Sequence, residues 1–466
     1  MKIKKICILL LPLFLALQSF AQENGYRITF DIDGYNDTLA YLGYYYGDKL
    51  SVADTSIADR GHIVFEGPAP LKQGVYFLVS GKKARMFEFM VGGDQEFSLS
   101  NKADGTPDDM KIRGSEENKL FYDYLINNRK SYDVITELQA RLKALPEDND
   151  SLPIIKQEIE KLNQESVDYK LRLMEENPGS LTTLLFNVMK EPEVPDFFSD
   201  GGRQDTLNYY LYYRNHYWDS VDFSDDRILR TPVFHRKMER YMEQVLPKHP
   251  DTLINEIDKM IASTGENSDL RQYLLWYFTN TYETSNIMGY DKIFVHMVDE
   301  YFTDVSYDWL TPSVQKSMTD RVNKMRGVLI GEFAPSLIMA DTSGNFISLH
   351  QQEAEYIIVL FWTSTCGECK REVNKLKAFY NESTLDLKIF AVNTDTVFSD
   401  WKKYVREKGL DWINVNGNIS LSGDYHETYD VFSTPTIYVL DNEKRIIAKR
   451  LSASKIPDFL YRRKNN

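Results

Sequence analysis

Cysteine is almost missing: the 466 residues contain 3, too few for the disulfide framework that staples small, loop-rich exported domains. Basic charge is in deficit, with 55 Lys and Arg against 69 Asp and Glu and a net charge of -14, so the surface is not built to neutralise nucleic-acid phosphates and no nucleic-acid partner is expected. Glycine (24) and proline (16) are sparse, which excludes collagen-like repeats and low-complexity disorder. The 7 histidines are scattered and none forms a helical i, i+4 pair, so no metal site is expected. No apolar run reaches the roughly 20 residues that a spanning helix needs. What is present is 42% hydrophobic residues, enough for several cores. At roughly 100–200 residues per domain, the length implies more than one domain.

The first residues carry an export pattern. Lys2, Lys4 and Lys5 precede a nearly continuous apolar run from Ile6 to Leu17, and Ser19-Phe20-Ala21 places small residues before Gln22. This is the order of a cleavable signal peptide, expected over 1–21. The expected location is the periplasm or cell envelope. Loss of the leader removes Cys7 and leaves Cys366 and Cys369. An exported chain that keeps one local pair of thiols keeps it for chemistry.

Three regions follow, so the expected fold is multidomain. Over 22–112 apolar residues alternate in short runs such as Ile28, Phe30, Ile32 and Val75, Phe77, Val79, the period of strands. The turns at Asp59-Arg60-Gly61, Gly81-Lys82 and Gly92-Gly93-Asp94 are expected to supply positive φ, giving an antiparallel, sandwich-like β domain. Over 113–327 the period becomes helical. Ile135, Leu138, Leu142 and Leu145, then Ile155, Ile159, Leu162, Tyr169 and Leu173, line one face each of two long helices forming a hairpin, and the central domain reads as all-α. The aromatic cluster Tyr209 to Trp218 reads as helix packing with some exposed tyrosine rather than a ligand platform. Over 328–466 strands alternate with helices, the pattern of an α/β layer fold. The strands include Tyr356–Trp362, Leu387–Val392 and Thr436–Leu440.

Cys366-Gly367-Glu368-Cys369 stands where the apolar run 356–362 gives way to a helix. Unpaired N–H groups and the helix dipole stabilise an anion there, so the Cys366 thiolate is favoured. Cys369 lies one turn further on. Cys366 can attack a substrate disulfide and Cys369 can resolve the mixed disulfide. Two other uses are weaker: a zinc site lacks a second ligand pair, and a cross-link closing so short a loop removes little unfolded-state entropy.

The run from Phe361 to Glu372, with Thr434-Pro435-Thr436 downstream, resembles the thioredoxin superfamily, in particular its exported TlpA/ResA-type disulfide reductase branch. Gly331-Glu332-Phe333-Ala334-Pro335 and the stretch 344–349 match that branch's usual opening. The resemblance covers about 327–466 and implies a thioredoxin-like C-terminal domain with Cys366 and Cys369 as its redox disulfide pair. The long spacing from Cys366 to Pro435 is that of members with a central insertion. The resemblance also implies a cis Thr434–Pro435 peptide lying against the cysteines, with both residues binding substrate. It further implies that Glu372, on the face of Cys369, serves as acid or base; the buried aspartate of thioredoxins is replaced here by Leu360. Trp362, Gly367 and Glu368 flank the cysteines and complete the expected substrate-binding set. Glu368 replaces a common proline, and its charge is expected to oppose the Cys366 thiolate. The N-terminal regions resemble accessory regions of large exported relatives whose function is not established.

The function this implies is an exported thiol-disulfide oxidoreductase that reduces protein disulfides. It needs no cofactor, but it does need protein clients and a membrane thiol-disulfide electron donor. A homodimer through the helical hairpin is a further expectation. Two alternatives stand beside it: a protein- or glycan-binding accessory protein on a thioredoxin-like scaffold, and a disulfide oxidase or isomerase.

Overall fold

The computed structural model describes residues 25–146, 149–198 and 204–465; the expected signal peptide lies outside them. The chain divides into two compact units, 1–240 and 241–466, so the helices expected as one central domain are shared between the two.

The first unit opens with two four-stranded sheets. One is built from β1 (Tyr26–Asp33), β4 (His62–Gly67), β7 (Glu96–Lys102) and β8 (Lys111–Arg113), the other from β2 (Leu39–Tyr46), β3 (Lys49–Ile57), β5 (Gly74–Ser80) and β6 (Arg85–Val91). Alternate residues point inward, so Ile28, Phe30, Leu42, Ile63, Phe65, Leu78, Phe89 and Leu99 close a fully buried core. Pairing is antiparallel except between β1 and β7, which run parallel. Arg60 and Gly61 take positive φ as expected. At 81–83 it is Lys83 that does so, because Asp37 accepts from the Lys82 amide at 3.2 Å and the Ser80 carbonyl from the Lys83 amide at 2.8 Å, which sets the turn one residue later; Gly92 and Gly93 do not take positive φ.

Helices α1 (Glu116–Ala144) and α2 (Ser151–Glu176) form the long hairpin, followed by α3 (Leu181–Met189), α4 (Thr206–Asn215) and α5 (Phe234–Arg240). Ser115 caps α1, and buried Asn118 clamps Met90 of β6, donating to its carbonyl at 2.7 Å and accepting from its amide at 2.8 Å. In the aromatic cluster Tyr217 is buried against Trp218, and Tyr209 is exposed.

The second unit begins with α6 (Pro250–Ala262), α7 (Asp269–Glu283), α8 (Asp291–Tyr301) and α9 (Pro312–Arg326). A seven-stranded sheet follows, made of β9 (Ile338–Asp341), β10 (Phe346–Ser348), β11 (Tyr356–Trp362), β12 (Leu387–Asn393), β13 (Ile413–Ser420), β14 (Thr436–Asp441) and β15 (Ile446–Lys449) in the order β10-β9-β13-β12-β11-β14-β15. Strands β11, β12 and β13 are parallel, and β14 returns antiparallel beside β11. Helices α10 (Gly367–Glu382), α11 (Phe398–Lys408), α12 (Tyr425–Thr428) and α13 (Ile456–Asn465) complete the layers. All seven residues of β11 are buried: Ile358, Leu360 and Trp362 face one core, Ile357, Val359 and Phe361 the other. A strand covered on both faces reads as one apolar run. No helix among the described residues is long and apolar enough to cross a membrane.

Candidate active site

The site lies at the carboxyl end of β11. Cys366 is the N-cap of α10, with φ -82° and ψ 126°, and its Sγ accepts from the Cys369 amide at 3.3 Å. A sulfur in this position meets the orphan donors and the positive end of the helix. The Cys366 thiol is accordingly held below its ordinary range. The Cys369 amide is the largest cause, the Cys369 side chain and the Glu368 amide add to it, and burial and the Glu368 carboxylate oppose it. The opposition expected from Glu368 is real and is outweighed. Its exposed carboxylate also pairs with Arg371. Cys369 is fully buried, and burial pushes its thiol up to about 11. Both cysteines are free thiols, Cys366 half-buried and Cys369 enclosed.

The Thr434–Pro435 peptide is cis, and the Thr434 carbonyl lies 3.9 Å from Cys366 Sγ. Thr434 and Pro435 are half-buried; Gly367 and Glu368 are exposed in the first turn of α10. Trp362 corrects the expectation that it binds substrate: it is 0% exposed and packs on Tyr404 with ring centroids 5.4 Å apart, so it supports the site from inside the core. Glu372 is buried one turn beyond Cys369. Its carboxylate accepts from Lys375 Nζ at 2.7 Å and from the Ala453 amide at 2.5 Å.

The sequence reading missed a polar scaffold beneath the loop 363–365. Asp395, just past β12, accepts from the Ser364 amide and from Asn393 Nδ2, both at 2.8 Å, and from the Thr363 hydroxyl. Asn416 on β13 donates to the Asn393 side chain at 3.2 Å and to the Asp395 carbonyl at 3.1 Å. Burial alone would raise the Asp395 carboxyl, but the Thr363, Asn393 and Ser364 hydrogen bonds outweigh it and hold it below the usual carboxylate range. The signal was Asn393-Thr394-Asp395 abruptly ending an apolar strand, at the strand ends where α/β sheets place their sites. A second missed group is Asp430, a buried residue at φ 51° whose carboxylate pairs with Arg321 and, at 2.8 Å, with Arg450. Among the described residues no group of three or more His, Cys, Asp or Glu side chains could hold a metal ion.

Three stretches of the chain match known families. Residues 330–449 match the AhpC/TSA family, 155–327 match a domain of unknown function, DUF5106, and 26–121 match another, DUF4369. The thiol-disulfide oxidoreductase ResA of Bacillus thuringiensis subsp. konkukian is 26% identical over 121 residues, which is 25% of this chain and 67% of the relative. A solved domain of a "possible thiol-disulfide isomerase" from Cytophaga hutchinsonii is 34% identical. The match spans 30% of this chain and 95% of that one, with a TM-score of 0.28. A thioredoxin-like protein from Bacteroides caccae is 20% identical over 58% of this chain and 98% of its own, with a TM-score of 0.44. The chain therefore carries, behind two accessory regions of unknown function, a C-terminal AhpC/TSA-type thioredoxin-like domain of the thiol-disulfide oxidoreductases.

Proposed function

We propose that this protein is an exported reductase of protein disulfides, acting through Cys366 and Cys369 in the periplasm or cell envelope. The reading is carried by one observation: Cys366 Sγ sits 3.3 Å from the Cys369 amide at the start of α10, partly open to solvent, while Cys369 is enclosed behind it. The Cys366 thiolate attacks one sulfur of the client disulfide, the client S–S bond breaks and its far sulfur leaves as a thiolate. Cys369 gives up its proton and attacks Cys366 Sγ, releasing the second client thiol and leaving a Cys366–Cys369 disulfide. Glu372, one turn from Cys369 on the same helix, is the acid–base group of this second step. Thr434, Pro435, Gly367 and Glu368 border the sulfur that receives the client.

The oxidised pair must be recharged with two electrons, and a membrane-held thiol donor is the partner this requires. Replacing Cys369 by Ser and retaining Cys366 should accumulate mixed disulfides with exported proteins, whereas Cys366→Ser should accumulate none. Absence of trapped partners in the Cys369→Ser strain would overturn the reductase reading and favour the binding-protein alternative. A reduction potential near about -120 mV, that of strong oxidants, would favour an oxidase or isomerase. Self-association through the α1–α2 hairpin is supported by exposed Tyr132, Ile154, Val167 and Leu171 on it. Sedimentation of a monomer at high concentration would dismiss it.

A further inference from the structure

A cleft of about 680 Å³ opens beside the redox site, entirely within the second unit. One wall is Glu368, Glu372 and Lys375 of α10 with Pro435 of the cis loop. Part of the lining does not come from the α/β layer: the end of α7 and the turn after it, Glu283 to Asn286, contribute to it together with Arg321 of α9. At this volume it is within the roughly 300–1,000 Å³ of ligand-binding clefts, but such small-molecule sites are mostly apolar. This lining is dominated by charged and hydroxyl side chains.

The two parts are tied together. Asp430 holds Arg321 from the helical side and Arg450 from the sheet side on one buried carboxylate. The Arg321 guanidinium lies 4.1 Å from the centroid of the Phe432 ring, which is 66% exposed at the lip. Most of the cleft's charges are already matched inside the protein: Glu372 with Lys375, Asp430 with the two arginines, Glu368 with Arg371. Such a surface selects by shape and hydrogen bonding rather than by one strong charge.

We propose that this cleft seats an extended, polar polypeptide segment flanking the client's disulfide, and that the helical region, through residues 283–286 and Arg321, supplies the selective wall. The proposal rests on the reductase reading and names its substrate class. An extended segment would lie between Pro435 and the α7 turn, with its cysteine delivered to Cys366 and exposed Phe432 offering a large apolar contact. The accessory helices would then filter clients, and thiol chemistry alone would not need them.

Thr284 and Asn286 are exposed and outside the redox machinery, so they can be enlarged without touching the cysteines. In the full chain, with dithiothreitol recharging the Cys366–Cys369 pair and its uncatalysed rate subtracted, Thr284→Arg and Asn286→Arg should raise KM for insulin, a disulfide-linked polypeptide, about tenfold with kcat little changed, the signature of lost ground-state binding. Reduction of 2-hydroxyethyl disulfide, too small to need the α7 turn, should stay at the wild-type rate, as should both reactions in Thr284→Ser and Asn286→Ser. Insulin reduction unchanged in both arginine variants would overturn the inference and leave the reductase reading intact. Equal loss on both substrates would overturn it too, because the turn would then support the site's structure rather than contact a client. If the wild-type protein reduced neither substrate, the reductase reading itself would fall.

Discussion

Limiting iodoacetamide at pH 7 should label the reduced protein at Cys366 and spare Cys369. The size of the preference follows from the two environments. A thiol at its ordinary value of 9.0 is about 1% thiolate at pH 7, and one at about 11 is about 0.01%. Cys366 is held below the ordinary value, so its thiolate advantage is at least about 100-fold. The more basic sulfur is the better nucleophile once ionised, and a Brønsted slope of about 0.4–0.5 returns about eightfold to Cys369. The net preference is then at least about tenfold from ionisation alone, and the complete burial of Cys369 can only widen it. Tandem mass spectrometry of the peptide carrying both cysteines, taken at one equivalent of label, reads the ratio directly. Repeating the labelling over a pH series should give Cys366 a midpoint below that of a free thiol. Equal labelling, labelling of Cys369 first, or a midpoint above the free thiol would refute the claim that the start of α10 activates Cys366.

Removing the Glu368 carboxylate as Glu368→Gln should lower the Cys366 midpoint further, since that charge opposes the thiolate; ultraviolet thiolate absorbance against pH tests the direction. Glu372→Ala strands the buried Ala453 amide and should cost about 1–3 kcal/mol of stability, whereas Glu372→Gln should keep the fold and slow release of trapped client about 100-fold if the group moves the Cys369 proton. Asp395→Ala leaves Ser364, Asn393 and Thr363 without their acceptor and should cost about 2–3 kcal/mol, read as faster hydrogen exchange in β11 and β12. Because the folded carboxyl of Asp395 lies below its unfolded value of about 3.9, its stabilisation is present above that pH and is lost as pH falls towards the folded value. Lys449 is buried against Asp291 and donates to the Val328 carbonyl at 2.7 Å. Lys449→Met alone should destabilise by about 3–5 kcal/mol, and adding Asp291→Leu should restore most of the loss in a double-mutant cycle.

Local features were legible in the sequence because their causes are local. The run Tyr356–Trp362 is a strand with the bounds its pattern predicts, covered on both faces. Cys366 stands at a helix start, four residues after the end of an apolar strand. Strand β13 was hidden by Asn414 and Asn416, polar side chains buried where a strand pattern asks for apolar ones. They are buried because their amides are bonded, Asn414 to the Leu410 and Trp412 carbonyls and Asn416 to the Asn393–Asp395 turn. The parallel pairing of β1 with β7 and the convergence of Arg321, Asp430 and Arg450 join residues far apart in the chain, and no periodicity encodes a partner at such a distance. Trp362 misled because its neighbours in sequence are site residues, while alternation along β11 turns its ring into the core.

The direction of electron flow depends on the same few groups. A dithiol becomes more oxidising as its reduced form is stabilised, so every donor that steadies the Cys366 thiolate moves the pair away from reductase behaviour. The Cys369 amide and the start of α10 act in that sense. Burial and the Glu368 carboxylate act against it, and Cys369, with its thiol at about 11, stays protonated and adds no second thiolate. Residue 368 is the natural tuning point among these. Its side chain is exposed and paired with Arg371. Exchange there acts on the poise of the sulfur directly, whereas exchange at Asp395 acts on the loop 363–365 that leads into it.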